Sequence, residues 1–156
     1  MVDFHINKKF DGVISVCDSI NYILDEDKLL QTFTNVYNHL REDGIFIFDI
    51  NSHYKLKEVI GNNIFLEDRD NIFYTWQNYF DEEKDICEFY LTFFHTDDGE
   101  NYVRFDEVHR ERAYKVEEIE GLLKKAGFIK IQAYQAFSFN PPDSESERIN
   151  FVAFKI

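Results

Sequence analysis

The sequence predicts an α/β fold: a strand–helix–strand unit with parallel strands, followed by an inserted antiparallel β-meander. Three observations predict this fold. In the segment 44–51, four apolar residues follow Gly44 without polar alternation, which is typical of a parallel strand buried on both faces. A β-branched apolar segment at 12–17 and an amphipathic segment at 27–41 precede it. The segment 64–114 instead carries aromatic runs separated by acidic turns.

The composition is that of one acidic domain. The chain has 156 residues and a formal net charge of −13, without a cluster of basic residues. A single domain over 1–156 is therefore expected, and neither a nucleic acid nor an anionic membrane is expected as a partner. Cys17 and Cys87 lie far apart in apolar surroundings, which predicts reduced core thiols in a cytoplasmic protein. No signal peptide and no membrane-spanning segment is recognised.

The first half of the chain is predicted to form strand, helix and strand in that order. A strand at 12–17 leads to a helix at 27–41, for which Asp25 is the expected N-cap. Gly44 is expected to end this helix and to turn the chain into the second strand. The apolar stripe of the helix is formed by Leu29, Leu30, Phe33, Val36, Tyr37 and Leu40.

The second half is predicted to form the meander and then to return to helix and strand. The turns of the meander contain Asp, Glu, Lys and Gly, which are typical of hairpin connections. The expected elements are a short helix at 53–60, meander strands at 71–80, 86–96 and 102–114, a helix at 115–126 that ends at Gly127, and strands at 128–137 and 149–156.

The polar loops that follow the first two strands form one candidate site. If these strands are parallel neighbours joined by a right-handed crossover, both loops emerge at the same edge of the sheet. The loop at 18–22 and the loop at 49–54 would then meet there. In open α/β sheets ligands bind at the carboxyl ends of the strands.

Four segments together resemble the second half of a class I S-adenosylmethionine-dependent methyltransferase. They are the strand and loop 10–22, the helix end 40–44, the strand end 48–51 and the segment 114–128 with its Ala-Gly-Phe turn. The resemblance implies a truncated Rossmann-like methyltransferase sheet formed by 1–63 and 115–156, with 64–114 as the antiparallel insert. It also implies S-adenosylmethionine as cofactor and a small-molecule acceptor.

The chain departs from the family pattern in its glycines. None of its six glycines lies two residues from another, so the Gly-rich turn that cradles the cofactor is absent. The expectation is an incomplete carboxyl-terminal portion that binds cofactor only if the amino-terminal half is supplied, with weak or no activity alone. Its first strand would be an exposed sheet edge that pairs either with a second copy, in a homo-oligomer such as a dimer, or with a further amino-terminal segment. The alternative is a non-catalytic remnant or a small-molecule binding module that uses the aromatic insert.

The resemblance also assigns roles to the two loops. Five residues correspond to the family's contacts near the reactive end of the cofactor: Cys17, Asp18, Ser19, Asn21 and Tyr22. On the acceptor side, Asp49 is a candidate catalytic residue, and Asn51 and Tyr54 are candidate substrate-binding residues. The alternative for Asp18 and Asp49 is that they are ordinary turn-forming residues at strand ends.

The meander offers further candidates, each with a structural alternative. Trp76 and the neighbouring aromatic residues form either a pocket over the acceptor or a sheet face that packs on the core. His109 alternates with Glu107 and Glu111, so it could be a general base oriented by an acid. Arg112, on the opposite face, could bind an acceptor carboxylate. A surface charge ladder explains the same pattern, and no histidine or cysteine shows metal-ligand spacing.

Overall fold

The computed structural model describes all 156 residues and contains two four-stranded sheets. In chain order the elements are β1 (Phe10–Ser15), α1 (Glu26–His39), β2 (Leu40–Asn51), a short helix with wide turns (Lys55–Ile60), β3 (Ile64–Arg69), β4 (Ile72–Asp81), β5 (Ile86–His95), β6 (Val103–Arg112), α2 (Val116–Ala126), β7 (Lys130–Gln135) and β8 (Arg148–Phe154). None of the helices has the length and apolar composition needed to cross a membrane.

The first sheet has the strand order β1-β2-β8-β7. Strands β1 and β2 are parallel, and β8 is antiparallel to both β2 and β7. The predicted α/β class with an antiparallel insert is therefore confirmed, as is the parallel pairing of the first two strands. Asp25 caps α1, since its Oδ1 accepts a hydrogen bond from the Lys28 N–H at 2.9 Å.

The position predicted for the end of α1 is wrong. The helix ends at His39, and Gly44 lies inside β2. Asp43, not Gly44, has the left-handed backbone conformation, with φ of 62°. A glycine is needed at position 44 for a different reason: the backbone of Arg41 passes so close that a Cβ atom would lie 2.8 Å from its carbonyl oxygen.

The larger core lies between the first sheet and helices α1 and α2. It contains 18 buried hydrophobic residues. Phe48 of β2 is at its centre, with ring centroids 5.4 Å from Phe33 of α1, 4.7 Å from Phe46 and 5.1 Å from Phe151 of β8. This buried aromatic packing holds β2 rigidly, and β2 therefore gives the residues at its carboxyl end fixed positions.

The second sheet is the antiparallel meander β3-β4-β5-β6. Strand β3 was not among the strands predicted from the sequence. Its side chains are mostly exposed, so burial imposes no clear alternation of polar and apolar residues there. A second, smaller core of six buried residues lies between the meander and the short helix.

The two sheets are joined through the loop after β1. Asn21 is fully buried there, and its side-chain Nδ2 donates to the backbone oxygens of Asn51 at 2.9 Å and Arg112 at 3.0 Å. Its Oδ1 accepts from the Asn51 N–H at 3.0 Å, and its backbone oxygen accepts from the Arg112 N–H at 2.8 Å. One amide thus connects β2 of the first sheet to β6 of the second, and this sets the space between the sheets.

Candidate functional site

A cavity of about 550 Å³ lies where the two sheets meet. One end is polar and is formed at the carboxyl ends of β1 and β2. The other end is the inner face of the meander and is aromatic and aliphatic. The residues that line it are Asp18, Tyr22, Asn51, Lys55, Ile60, Tyr74, Trp76, Phe89, Leu91, Phe93, His109, Glu111 and Arg148. An apolar wall with a few convergent polar groups is typical of a small-molecule site.

The loop after β1 is strained where it enters the cavity. Cys17 and Asp18 both have left-handed backbone conformations, with φ of 60° and 50°. Such a conformation costs about 1–2 kcal/mol for a residue with a Cβ atom. The loop is held by hydrogen bonds from the Asp18 N–H to Asp49 Oδ2 at 3.2 Å and from Ser19 Oγ to the Val16 oxygen at 2.7 Å.

The structure corrects the expectation that both cysteines are core thiols. Cys17 is exposed and only Cys87 is buried. Burial raises the pKa of the Cys87 thiol to about 12, and the neighbouring Glu111 carboxylate acts in the same direction. Cys87 is therefore an unreactive core residue.

Arg148, at the start of β8, neutralises two of the acids at the polar end. Its Nη2 donates to Asp18 Oδ1 at 2.9 Å and to Asn51 Oδ1 at 3.1 Å, and its Nη1 donates to Asp49 Oδ2. The guanidinium thus contacts the ends of both parallel strands. Asp49 is oriented towards this ion pair and the Asp18 N–H and does not line the cavity.

Glu111, on β6, is the buried acid of the cavity. It is only 3% exposed, and its Oε2 accepts a hydrogen bond from Asn51 Nδ2 at 2.8 Å. The pKa of Glu111 is raised from 4.5 to about 7, chiefly by burial. The nearby Asp18 carboxylate acts in the same direction, and the Asn51 hydrogen bond acts against it. A carboxyl group with this pKa can accept and release a proton near neutral pH.

Tyr22 and His109 form the rim of the polar end. The Tyr22 hydroxyl lies 3.5 Å from His109 Nδ1, and the two rings meet edge to face at 6.0 Å. His109 Nε2 is 3.1 Å from Glu107 Oε2. Burial raises the pKa of Tyr22, and the negative charges of Glu111 and Asp18 add to this. The acid next to His109 is therefore Glu107, while Glu111 turns towards Asn51.

The structure brings five of the residues predicted from the sequence to the cavity wall. They are Asp18, Tyr22, Asn51, Trp76 and His109. Tyr54 lies elsewhere, in a smaller cavity of about 300 Å³. The Arg112 guanidinium is also elsewhere: it donates to Glu118 Oε1 at 3.2 Å and lies 4.7 Å from the centre of the Tyr114 ring. Cys17, Ser19, Asn21 and Asp49 shape the loops and do not line the cavity.

Sequence reasoning did not identify Lys55 and Arg148 as site residues. Lys55 begins the short helix after β2, and Arg148 follows a loop of Ser and Glu that has no periodic pattern. Arg148 is 130 residues from Asp18 along the chain, so only the pairing of β8 with β2 brings them together. No group of three or more His, Cys, Asp or Glu side chains is arranged to hold a metal ion.

Known proteins similar to the chain in sequence are methyltransferases by name, although no protein-family model matches it. Two relatives, each named "Putative methyltransferase", come from Geobacillus sp. (strain WCH70) and from Bacillus subtilis (strain 168), where the protein is YqeM. They are 38% and 35% identical to the chain over 94% of its length. The match covers 59% of each relative, so the chain spans about three fifths of their length.

Solved structures give the same result for the fold. An S-adenosylmethionine-dependent methyltransferase from Clostridium acetobutylicum ATCC 824 is 45% identical with a TM-score of 0.90, and the match covers 98% of this chain and 61% of that one. The sugar N-methyltransferase KedS8 from Streptoalloteichus sp. ATCC 53650 shares the fold at 17% identity, with a TM-score of 0.75 and coverage of 99% and 59%.

The first sheet, the inserted meander and the cavity between them define a Rossmann-like methyltransferase fold. The chain is related in sequence and in fold to the class I S-adenosylmethionine-dependent methyltransferases over nearly its whole length. This confirms the resemblance that the sequence segments indicated.

Proposed function

We propose that the chain is the acceptor-binding part of an S-adenosylmethionine-dependent methyltransferase that methylates an amine nitrogen of a small molecule. The observation that carries this proposal is Glu111, a buried carboxyl group with a pKa of about 7 at the polar end of the cavity. A protonated amine must lose a proton before its nitrogen can attack a methyl group. Glu111 is placed and tuned to bind the cation and to take that proton.

The residues present fit the reactive end of the cofactor. S-adenosylmethionine carries a positive sulfonium, and the polar end offers it the carboxyl oxygens of Asp18 and Glu111 and the face of the Tyr22 ring, each of which attracts a cation. When bound, the cofactor supplies an activated methyl group whose leaving group is a neutral thioether. Asp18 and Tyr22 would contact this end, as the family resemblance suggests.

The chain's own residues would then position and deprotonate the acceptor. Glu111 accepts the proton of the ammonium, and Asn51 Nδ2 stabilises the carboxylate through its 2.8 Å hydrogen bond. After the transfer Glu111 would release the proton to solvent. His109, which lies next to Tyr22 and Glu107 at the rim, would position the Tyr22 hydroxyl. Asp49 supports the site through Arg148 and the Asp18 N–H, and not through contact with the acceptor.

The meander would hold the rest of the acceptor. Trp76 and Phe89 pack edge to face with ring centroids 5.7 Å apart, and Tyr74 and Phe93 lie 5.6 Å apart on the same wall. Such a wall binds an apolar ring or the apolar face of a sugar and excludes water from the transfer. The name of one similar structure supports an amine acceptor, since KedS8 is a sugar N-methyltransferase.

We also propose that the chain is one cytoplasmic domain that forms a homo-oligomer through β1. Strand β1 is at the edge of the first sheet, and Ile14 is 69% exposed on it. An exposed apolar edge strand is a template for pairing with another strand. Light scattering should show a dimer that Ile14→Lys converts to a monomer. A monomeric wild-type chain would refute the pairing.

A transfer assay tests the methyltransferase proposal. The chain, alone and with the amino-terminal portion of a relative added, is incubated with S-adenosylmethionine labelled in its methyl group and with a panel of amino sugars and aromatic amines. Label in the acceptor is then measured. Glu111→Gln should lower the rate about 100-fold or more, since general-base catalysis contributes 10²–10⁴-fold. The matched control is Glu88→Gln, because Glu88 pairs with Arg110 away from the cavity at 2.7 Å. Failure of S-adenosylmethionine to bind both to the chain alone and to the chain with the amino-terminal portion of a relative added would favour the non-catalytic binding module.

A further inference from the structure

We propose that Arg148 is a positioning residue that holds the loop after β1 and the Asn51 side chain in the orientation that Glu111 needs. This inference rests on the proposed function of Glu111. Arg148 is the only residue of β8 in the cavity wall, and Asn51 is its cross-strand partner in the pairing of β2 with β8. It therefore acts from a strand that belongs to the rigid first sheet.

The first role of Arg148 is to hold the strained loop. Asp18 has φ of 50°, and its carboxylate would lie near Asp49 without a cation between them. Arg148 donates to both carboxylates from its two terminal nitrogens, which removes their repulsion and fixes their separation. Without the guanidinium, both the repulsion and the backbone strain favour a relaxed loop that leaves the cavity.

The second role is to fix the Asn51 amide. Asn51 Oδ1 accepts from Arg148 Nη2 at 3.1 Å, and Asn51 Nδ2 donates to Glu111 Oε2 at 2.8 Å. Arg148 has only donors, so the oxygen of the amide must face it and the NH₂ group must face Glu111. Arg148 thus orients the hydrogen bond that Glu111 receives, although it does not contact Glu111 itself.

The third role is electrostatic. Glu111 faces titratable and charged groups from every neighbouring element. The loop after β1 contributes Asp18 and Tyr22, and the short helix contributes Lys55. The strands contribute Cys87, His109 and Arg148 with its partner Asp49. Arg148 compensates Asp18, whose negative charge raises the pKa of Glu111. Loss of the guanidinium should therefore shift the Glu111 titration to higher pH.

Two measurements test the positioning role of Arg148. One is a titration of the Glu111 carboxyl group by carbon-detected nuclear magnetic resonance, and the other is hydrogen exchange of the Asp18 amide. Arg148→Gln should raise the Glu111 midpoint by about 0.5–1 pH unit, because the Asp18 and Asp49 charges lose their counter-ion. It should also speed exchange of the Asp18 amide about tenfold or more, while the Phe48 amide in the core keeps its protection. The matched control is Arg41→Gln, since Arg41 also pairs with a carboxylate: its Nη1 donates to both oxygens of Asp11 on the surface.

A second variant keeps the test decisive if Arg148→Gln does not fold. Arg148→Lys retains the charge but loses the planar fork, so it should speed Asp18 exchange with a smaller shift of the Glu111 midpoint. Both readouts are made without methyl donor or acceptor, so absence of methyl transfer leaves them valid. An unchanged midpoint and unchanged Asp18 exchange in the Arg148 variants would overturn the positioning role, even if the chain transfers methyl groups.

Discussion

The two sheets differ in how much of their hydrophobic surface is buried in a core and how much lines the cavity. The core between the first sheet and its helices contains 18 buried hydrophobic residues, whereas the core beneath the meander contains six, two of them from the short helix after β2. Four aromatic residues of the meander, Tyr74, Trp76, Phe89 and Phe93, line the cavity, and Phe89 belongs to the small core as well. The comparison shows that stability resides in the first sheet and that the meander serves as a wall for a ligand.

The largest effect that tests this division is expected in the core of the first sheet. Phe48→Ala should lower the free energy of unfolding by about 3–5 kcal/mol, since Phe48 is buried among three other aromatic rings. Phe89→Ala, in the meander, should cost only about 1–3 kcal/mol because its ring already borders a cavity. Urea unfolding measures both. Equal losses would show that the two regions are equally important for stability.

The next effect concerns the acid at the boundary between the regions. The folded state binds the Glu111 proton more tightly than the unfolded chain between pH 4.5 and about 7, so stability falls as the pH rises through this window. Glu111→Gln removes the titrating group and with it this fall in stability. The variant should be about 1–3 kcal/mol more stable than the wild type above pH 7, and the difference should vanish below pH 4.5. Thermal unfolding at a series of pH values measures it, and a pH-independent difference would contradict the buried-acid account.

The smallest effect compares two glycines in the first region, Gly121 inside α2 and Gly127 directly after it. Gly127 ends the helix with φ of 112°, and a Cβ atom there would lie 3.0 Å from the Tyr37 ring. Gly127→Ala should therefore destabilise the chain by about 1–2 kcal/mol. Gly121 has no atom near its Cβ position, so Gly121→Ala should stabilise the helix by about 0.5–1 kcal/mol. A Gly127→Ala variant that is as stable as the wild type would show that the tight contact with Tyr37 is unimportant.

The elements that the sequence predicted correctly are those with strong local signals. The strand–helix–strand unit has a fully apolar strand, a helix stripe and a capping Asp25, each of which acts within a few residues. The antiparallel insert was predicted from its acidic turns. Strand β3 was missed because, as an exposed edge strand, it has no buried face to impose a pattern.

The site was predicted less completely because it depends on contacts between distant segments. Asp18, Asn51 and His109 could be found from strand ends and alternation. The importance of Glu111 follows from its burial under Asn51, and that of Arg148 from the pairing of β8 with β2. Likewise, Arg112 alternates as predicted, but its guanidinium packs on Tyr114. No local pattern in the sequence reports these tertiary contacts.

The most direct test of the account uses the chain's single tryptophan. Trp76 lies in the cavity wall, so its fluorescence reports a ligand that enters between the two sheets. Titration with S-adenosylmethionine followed by an amino sugar should change its emission in a saturable way in the wild type. The affinity obtained from this titration should be about tenfold or more lower in Asp18→Asn, because a charge-assisted contact to the cation is lost. An emission that does not change would contradict a binding site between the sheets, and an equal change in both proteins would contradict the contact of Asp18 with the ligand.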